Sequence, residues 1–96
     1  MTEQDPTMLL NFFKALAHES RLRLLAFVSE REHSVQELAA RMALKEPTIS
    51  HHLAMLREVG LVSLRQDGTT HWYALEPKTL SRLARSLLAP GQLAAL

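Results

Sequence analysis

The stretch SVQELAARMALKEPTISHHLAMLREVGLV, residues 34–62, carries the signals of two helices joined by a short turn. Ser34 is followed three residues later by a glutamate, the spacing of a capping box, which predicts a helix start. Apolar residues at helical spacing extend this helix over 35–43, and a second helix is predicted over 46–59. Gly60 predicts its end, because glycine readily adopts the left-handed conformation of a C′ residue. The two helices together indicate a helix-turn-helix.

Beyond Gly60 the spacing of apolar residues changes from helical to alternating. The runs LVSLRQ and TTHWYAL flank Asp67-Gly68, and an Asp-Gly pair between two β-prone runs predicts a hairpin. The predicted cross-strand pairs are Gln66–Thr69, Leu64–His71 and Val62–Tyr73. The face with Val62, Leu64 and Tyr73 is expected to be buried, and the opposite face carries Arg65, Thr70 and Trp72. His71 is expected to be structural, because its predicted partner faces the core.

Three further helices are predicted from apolar residues at helical spacing, over 6–17, 19–31 and 77–89. The expected order is therefore α-α-α-α-β-β-α. This is a mainly α fold with a β-hairpin wing (α+β), the plan of a winged helix-turn-helix. A chain of 96 residues has the size of one small core, so we expect residues 1–96 to form a single domain.

Composition limits the possible functions and compartments. The chain has 11 lysines and arginines against 10 aspartates and glutamates, so a net charge of +1 does not by itself indicate a polyanionic partner. The absence of cysteine excludes disulfides, thiolate metal sites and a cysteine nucleophile. The start MTEQDPTMLL lacks the features of a signal peptide, and charges interrupt every apolar run before the roughly 20 residues of a membrane span. We expect a cytoplasmic protein that does not bind membranes.

Three segments resemble the ArsR/SmtB-type transcriptional regulators: KALAHESRLRLLAFV, SVQELAARMALKEPTISHHLAMLREVGLV and RQDGTTHWYAL. The resemblance covers roughly residues 10–80, and its most specific part is the block PTISHHL followed by the Asp-Gly wing. It implies a small repressor that binds double-stranded DNA and is released by an inducer. It also implies a homodimer formed through the first and last helices, with residues 46–59 as the recognition helix.

The sequence departs from this family at the positions of its metal sites. The best-known site needs a Cys-x-Cys pair where this chain has Ser34 and Gln36, and neither side chain is a ligand for soft metals. Another site uses Asp and His on the last helix, but residues 76–96 contain neither. The family's capping Asp before the second helix is His18 here. We therefore expect no metal and no cofactor, and the inducer stays unknown.

The adjacent histidines His51 and His52 occupy different faces of the predicted recognition helix. If Ile49, Leu53 and Leu56 form the buried stripe, His51 lies on the opposite side and His52 about 60° from Ile49. Neighbouring residues on a helix cannot bind one metal ion together, because ligands need a spacing of three or four residues. We expect His51 to contact a guanine edge or a phosphate. His52 is expected to bond a backbone carbonyl, with a direct base contact as the alternative.

Other candidate contacts with DNA lie at the start of the recognition helix and in the wing. Those near the helix start are Lys45, Thr48 and Ser50. Their alternatives are a solvated lysine and ordinary helix-start chemistry. Those in the wing are Arg65, Gln66, Thr69 and Thr70, where the resemblance implies contact with the backbone or the minor groove. The alternative for Arg65 is a surface charge stacked on Trp72.

The first and last helices carry more apolar side chains than a core of this size can cover, which indicates an interface. The candidate dimer residues are Leu9, Phe12, Phe13, Leu80, Leu83 and Leu87. A two-fold dimer would hold two recognition helices about 34 Å apart, one turn of DNA, and so would bind a pseudo-palindromic operator.

Two other functions fit parts of the sequence. Residues 45–73 contain Lys45, Arg57 and Arg65 against Glu46, Glu58 and Asp67, a neutral sum that suits a winged-helix module for protein–protein contact. The chain also resembles the DNA-binding part of longer regulators. An enzyme is not expected, because the sequence shows no catalytic carboxylate pair, no Ser/His/Asp arrangement and no phosphate-binding glycine loop.

Overall fold

A computed structural model describes residues 6–91 and residue 94 of the chain. It contains, in order, α1 (Pro6–Leu16), α2 (Glu19–Glu30), β1 (His33–Ser34), α3 (Val35–Met42), α4 (Glu46–Glu58), β2 (Val62–Asp67), β3 (Thr70–Leu75) and α5 (Pro77–Leu88). The five predicted helices and the hairpin are all present, and each helix ends one residue earlier than predicted. The two-residue strand β1 was not predicted. In the described residues, no helix is long and apolar enough to cross a membrane.

Local side-chain bonds explain where the helices of the helix-turn-helix begin and end. Ser34 Oγ accepts the Glu37 N–H at 3.1 Å while the Glu37 carboxylate accepts the Ser34 N–H at 3.0 Å, which completes the predicted capping box. At the end of α4, Gly60 has φ +80° and the Leu61 N–H bonds the Leu56 carbonyl at 3.0 Å. That is the Schellman arrangement, and it directs the chain from α4 into the wing.

The three strands form one antiparallel sheet in the order β1-β3-β2. The predicted hairpin register is wrong by one residue on each strand: Val62 pairs with Leu75, Leu64 with Tyr73, Gln66 with His71 and Asp67 with Thr70. The turn residues are therefore Gly68 and Thr69 rather than Asp67 and Gly68. Of these only Gly68 has a positive φ, +61°, as in a II′ turn with glycine at its first central position.

The change of register preserves the predicted faces. Each residue pairs with a partner two positions beyond the predicted one, and residues two apart on a strand point to the same side. Val62 and Tyr73 are buried, and Arg65 lies opposite Trp72 on the other face. His71 does not have the predicted structural role. It is exposed and pairs with Gln66, beyond the part of the hairpin that covers the core.

The core is aliphatic and draws on every helix. Its fully covered side chains include Leu24 of α2, Leu38 of α3, and Ile49, Leu53 and Leu56 of α4, all at 0% exposure. Further members, from α1, α5 and β3, are Leu9, Phe12, Leu83 and Tyr73. The predicted stripe on the recognition helix is thus confirmed. It fixes α4 against the body with its opposite face turned to solvent.

Candidate nucleic-acid interface

The solvent face of α4 and its N-cap residue carry a row of polar side chains at intervals of three residues. Lys45, Thr48 and His51 are all exposed and follow one another along this face. Residues three apart on a helix are neighbours, so the three side chains can contact the same side of one ligand. The predicted outward position of His51 agrees with the structure. This row is supported from behind by the buried stripe of α4.

Ser50 is exposed but lies beside this row, in an open groove of 860 Å³ between α3 and α4. The groove is lined by Gln36, Ala39, Ala40, Leu44, Lys45, Glu46, Pro47 and Ser50. Ala39 and Ala40 of α3 add only methyl groups to the wall, and the groove is open to solvent. Lys45 belongs to the groove and to the row. Glu46 in the first turn of α4 partly offsets the preference of a helix start for anions.

The tip of the wing presents three neutral polar side chains beside the exposed carboxylate of Asp67. Gln66 and Thr69 are exposed and Thr70 is half-buried. The Gln66 side-chain amide donates to the Gly68 carbonyl at 3.2 Å, which braces the turn. The three predicted tip contacts therefore lie together at the turn end of the hairpin, Gln66 on β2, Thr70 on β3 and Thr69 between them.

Arg65 has a different environment, because its guanidinium is already bound. Its Nε donates to Glu32 Oε2 at 3.1 Å and a second nitrogen donates to Glu32 Oε1 at 2.6 Å. The guanidinium also lies 5.8 Å from the centre of the Trp72 ring. The hydrogen bonds from Arg65 lower the pKa of the Glu32 carboxyl, and the same bonds raise the pKa of Arg65. The predicted alternative of Arg65 stacked near Trp72 is thus present, together with an ion pair.

His52 is 8% exposed and packs among other cationic or ionisable groups. Its Nδ1 lies 3.5 Å from the Arg21 guanidinium, and its ring is 4.6 Å from that of His18. The expected bond to a backbone carbonyl is therefore wrong, and an arginine stands there instead. Burial, followed by the nearby His18, Arg21 and His51, lowers the pKa of His52. A neutral ring can accept a hydrogen bond from Arg21.

Comparison with known proteins identifies the class of protein that carries this geometry. Residues 18–63 match the family described as "Bacterial regulatory protein, arsR family". The chain is 36% identical over 87 residues to the "Biofilm growth-associated repressor" of Agrobacterium fabrum, covering 91% of this chain and 74% of the relative. The chain belongs to the ArsR family. The family model and the relative describe regulators of transcription. This chain is therefore a DNA-binding transcriptional regulator and not an enzyme.

Two further regulators show how far the similarity extends. The regulator KmtR of Mycobacterium tuberculosis is 40% identical over 83 residues, which cover 86% of this chain and 64% of KmtR. The solved "ArsR-like Transcriptional Regulator from Rhodococcus sp. RHA1" superposes with a TM-score of 0.81 at 30% identity, over 93% of this chain and 89% of that one. The winged helix-turn-helix is thereby confirmed as the fold.

Two further histidines of this ArsR-family chain, His18 and His33, make structural contacts. His18 is the N-cap of α2, where its Nδ1 accepts the Ser20 N–H at 3.1 Å, so it does replace the family's capping aspartate. His33 is fully buried, with Nδ1 2.8 Å from the Arg31 carbonyl and Nε2 2.9 Å from Arg41. Among the residues that the structure describes, no group of three or more His, Asp or Glu side chains could hold a metal ion.

The six candidate dimer residues of the ArsR-family chain fall into two groups. Leu9, Phe12 and Leu83 are 2%, 5% and 8% exposed, so their own protomer covers them. Leu80 and Leu87 are partly buried against the core, and Phe13 is 42% exposed. Leu10 at 41% and Leu88 at 83% are further exposed apolar side chains on α1 and α5 that were not predicted.

Sequence reasoning missed two polar partners, Glu32 and Arg21. Glu32 is 33 residues from Arg65, and Arg21 is 31 residues from His52. Charge patterning within single elements does not reveal pairs between residues so far apart in the sequence. The wing contains a single arginine. That lone positive charge is the signal that could have indicated an acidic partner such as Glu32.

Proposed function

We propose that this ArsR-family regulator is a homodimeric repressor that binds a pseudo-palindromic operator. The observation that carries the proposal is the exposed row of Lys45, Thr48 and His51 on a helix fixed by a buried stripe. A rigid support is what a reading helix needs, because base contacts depend on orientation within the major groove. The relative named as a biofilm growth-associated repressor supports repression as the outcome of binding.

Each contact in the proposed interface has a chemical role. Lys45 meets a phosphate, and His51 donates to guanine O6 or N7. Thr48 and Ser50 hydroxyls bind phosphates or base edges near the start of α4. The wing adds the neutral donors of its tip, Gln66, Thr69 and Thr70.

The homodimer is proposed to form through the exposed apolar side chains of α1 and α5. Leu10 and Phe13 lie three residues apart on α1, and α5 contacts α1 and exposes Leu88. These side chains add to the partly buried Leu80 and Leu87, which the protomer leaves open at its surface. Two-fold symmetry would then give two α4 helices about 34 Å apart.

The inducer is proposed not to be a soft metal ion, because Ser34 and Gln36 occupy the thiolate positions of the family's site. The Ser34 side chain is also committed to the cap of α3. A bacterial regulator meets chromosomal DNA in the cytoplasm, and we propose that compartment for this chain.

The test is the salt dependence of DNA affinity, measured by fluorescence anisotropy on an operator obtained by selection from random duplexes. Lys45→Ala should reduce the slope of log K against log salt by about 0.9 per half-site, since one phosphate contact is lost. His51→Ala should weaken binding to the selected operator by roughly tenfold to a hundredfold, the scale of a base contact. Binding to an unrelated duplex should change little.

Arg23→Ala is the matched control, because it removes an exposed cation from α2, outside the proposed interface. It should leave the slope unchanged. Equal effects of Lys45→Ala and Arg23→Ala would show that the row on α4 is not the reading surface. A wild-type protein that selects no sequence would contradict the proposed function as a whole.

A further inference from the structure

The wing contains one strong cation, and its charge is neutralised within the protomer. Between Val62 and Leu75, Arg65 is the only lysine or arginine and Asp67 the only acid. All three guanidinium nitrogens of Arg65 lie near carboxylate oxygens. Two donate to Glu32, and the third is 3.9 Å from Asp67. One cation and two carboxylates leave this part of the surface with a net negative charge.

The ion pair joins the wing to the body of the protomer. Glu32 immediately precedes β1, and β1 pairs with β3, where Ser34 lies opposite Trp72. Trp72 in turn lies opposite Arg65 of β2. The Arg65–Glu32 pair therefore spans the sheet beside the Trp72 ring, from its outer strand to the turn after α2. Two parallel hydrogen bonds fix the orientation of the guanidinium as well as its position.

On the basis of the proposed function, we infer that Arg65 is a positioning residue rather than a phosphate contact, and that Glu32 is its partner. The pair holds the wing at the angle at which Gln66, Thr69 and Thr70 reach DNA. An exposed pair contributes little to global stability, and the two side chains are 53% and 36% exposed. Its effect should thus be on DNA affinity through the wing, with little change in melting temperature.

Single substitutions on either side of the pair distinguish positioning from direct contact. Arg65→Gln and Glu32→Gln should both weaken affinity, on the order of threefold to fivefold, the scale of an exposed ion pair. The two substitutions change net charge in opposite directions, so a shared loss cannot come from long-range attraction to DNA. Neither should change the salt slope, because no phosphate contact is removed.

The exchanged pair, Glu32→Arg with Arg65→Glu, is the decisive variant. It restores the ion pair and leaves net charge unchanged, so affinity should return to within about twofold of wild type. Trp72 is the one tryptophan of the chain, so its fluorescence reports the same pair without DNA. Both single variants should shift its emission, and the exchanged pair should reverse the shift. Glu30→Gln, which breaks the exposed Arg41–Glu30 pair outside the wing and changes net charge as Glu32→Gln does, is the control and should change neither reading.

The opposite role for Arg65 has a distinct signature. If it contacts a phosphate, Arg65→Gln lowers the salt slope by about 0.9, Glu32→Gln strengthens binding, and the exchanged pair binds worst of all. That pattern, or the absence of any effect from both single variants, would overturn the inference. Neither result would affect the proposed function, which stands or falls on sequence-selective binding by the wild type.

Discussion

The adjacent histidines of α4 illustrate how one position along a helix changes the chemistry of an imidazole. His51 is exposed on the proposed reading face. His52 is nearly covered, and Arg21 and His18 lie against its ring. Protonation of His52 would set a cation beside the Arg21 guanidinium and end its ability to accept a hydrogen bond at Nδ1. The unprotonated form is therefore the one that the packing of α2 against α4 favours.

We expect this environment to make stability depend on pH. The pKa of His52 is lowered in the folded protein, so the unfolded chain takes up a proton first as pH falls. The stabilisation is complete above the unfolded value of about 6.5 and decreases as pH falls from there toward the lower folded pKa. The melting temperature of wild type should thus fall between pH 7.5 and pH 5.5, by more than that of His52→Asn, which keeps an acceptor but cannot titrate.

His71→Asn provides the control, because His71 is exposed on the hairpin. It should keep the wild-type dependence of melting temperature on pH. If His52→Asn and wild type follow parallel curves over this range, His52 does not couple proton binding to folding.

At the scale of the element, the wing depends on a single left-handed glycine. Gly68 has φ +61° and no atom lies within 4 Å of a Cβ built on it, so its requirement is conformational and not steric. The other described glycine in open space with a positive φ is Gly91, at +77° beyond the end of α5. The two glycines share a positive φ, which strains any L residue placed there, and they differ in location. That makes them a matched pair for testing the wing.

Gly68→Ala and Gly91→Ala should each cost about 1 kcal/mol, because an L residue is strained in the left-handed region. In a domain of this size each would lower the melting temperature by roughly 4–8 °C in thermal unfolding. Only Gly68→Ala should also weaken operator binding, since only its turn belongs to the proposed interface. Gly68→Asn should bind nearly as wild type, because asparagine tolerates this conformation. Equal operator affinities for both alanine variants would argue that the wing tip does not touch DNA.

The elements that the sequence predicts well are those whose signals are local. A capping box, an apolar stripe and a C′ glycine each lie within one or two turns, and they fixed α3 and α4 to within a residue. The hairpin was predicted from Asp67-Gly68, but its register depends on which turn residues adopt positive φ, and only Gly68 does. Strand β1 was missed because two residues carry no periodicity. Its existence depends on pairing with β3, about 40 residues away.

At the scale of the whole molecule, the low net charge of the chain is expected to make DNA affinity depend on dimer formation. The net charge of the chain is +1, the one lysine or arginine of the wing is paired, and Lys45 is the one lysine or arginine among the proposed DNA contacts. A dimer doubles the phosphate contacts and makes the second half-site an intramolecular encounter, which raises affinity without new types of contact. Assembly is therefore expected to matter more here than in a strongly basic regulator.

Leu88→Arg should produce monomers. Leu88 is 83% exposed in the protomer, so the substitution leaves the fold intact but buries an unpaired charge in the proposed interface. The Kd of the dimer should rise on the order of a hundredfold or more, measured by light scattering over a concentration series. Leu22→Arg is the matched control, because Leu22 is 51% exposed on α2. Leu83→Arg is a poor probe, since its side chain belongs to the core.

A Leu88→Arg protein that stays dimeric at micromolar concentration, or a wild type that is monomeric there, would contradict an interface at α5. Circular dichroism on the same samples separates dissociation from unfolding. Operator affinity should fall together with the dimer population.

Ser34 is at once the last residue of β1 and the N-cap of α3, and β1 is paired with the wing strand β3. One residue thus ties the sheet at the base of the wing to the first helix of the helix-turn-helix, and the Arg65–Glu32 pair adds a second link between the wing and the body. The fold of the protomer therefore sets the distance between the proposed base-reading helix and the wing tip. Adjustment to different operators is then expected at the interface of the proposed dimer. Natural operators should accordingly vary in the gap between half-sites while keeping each half-site the same length.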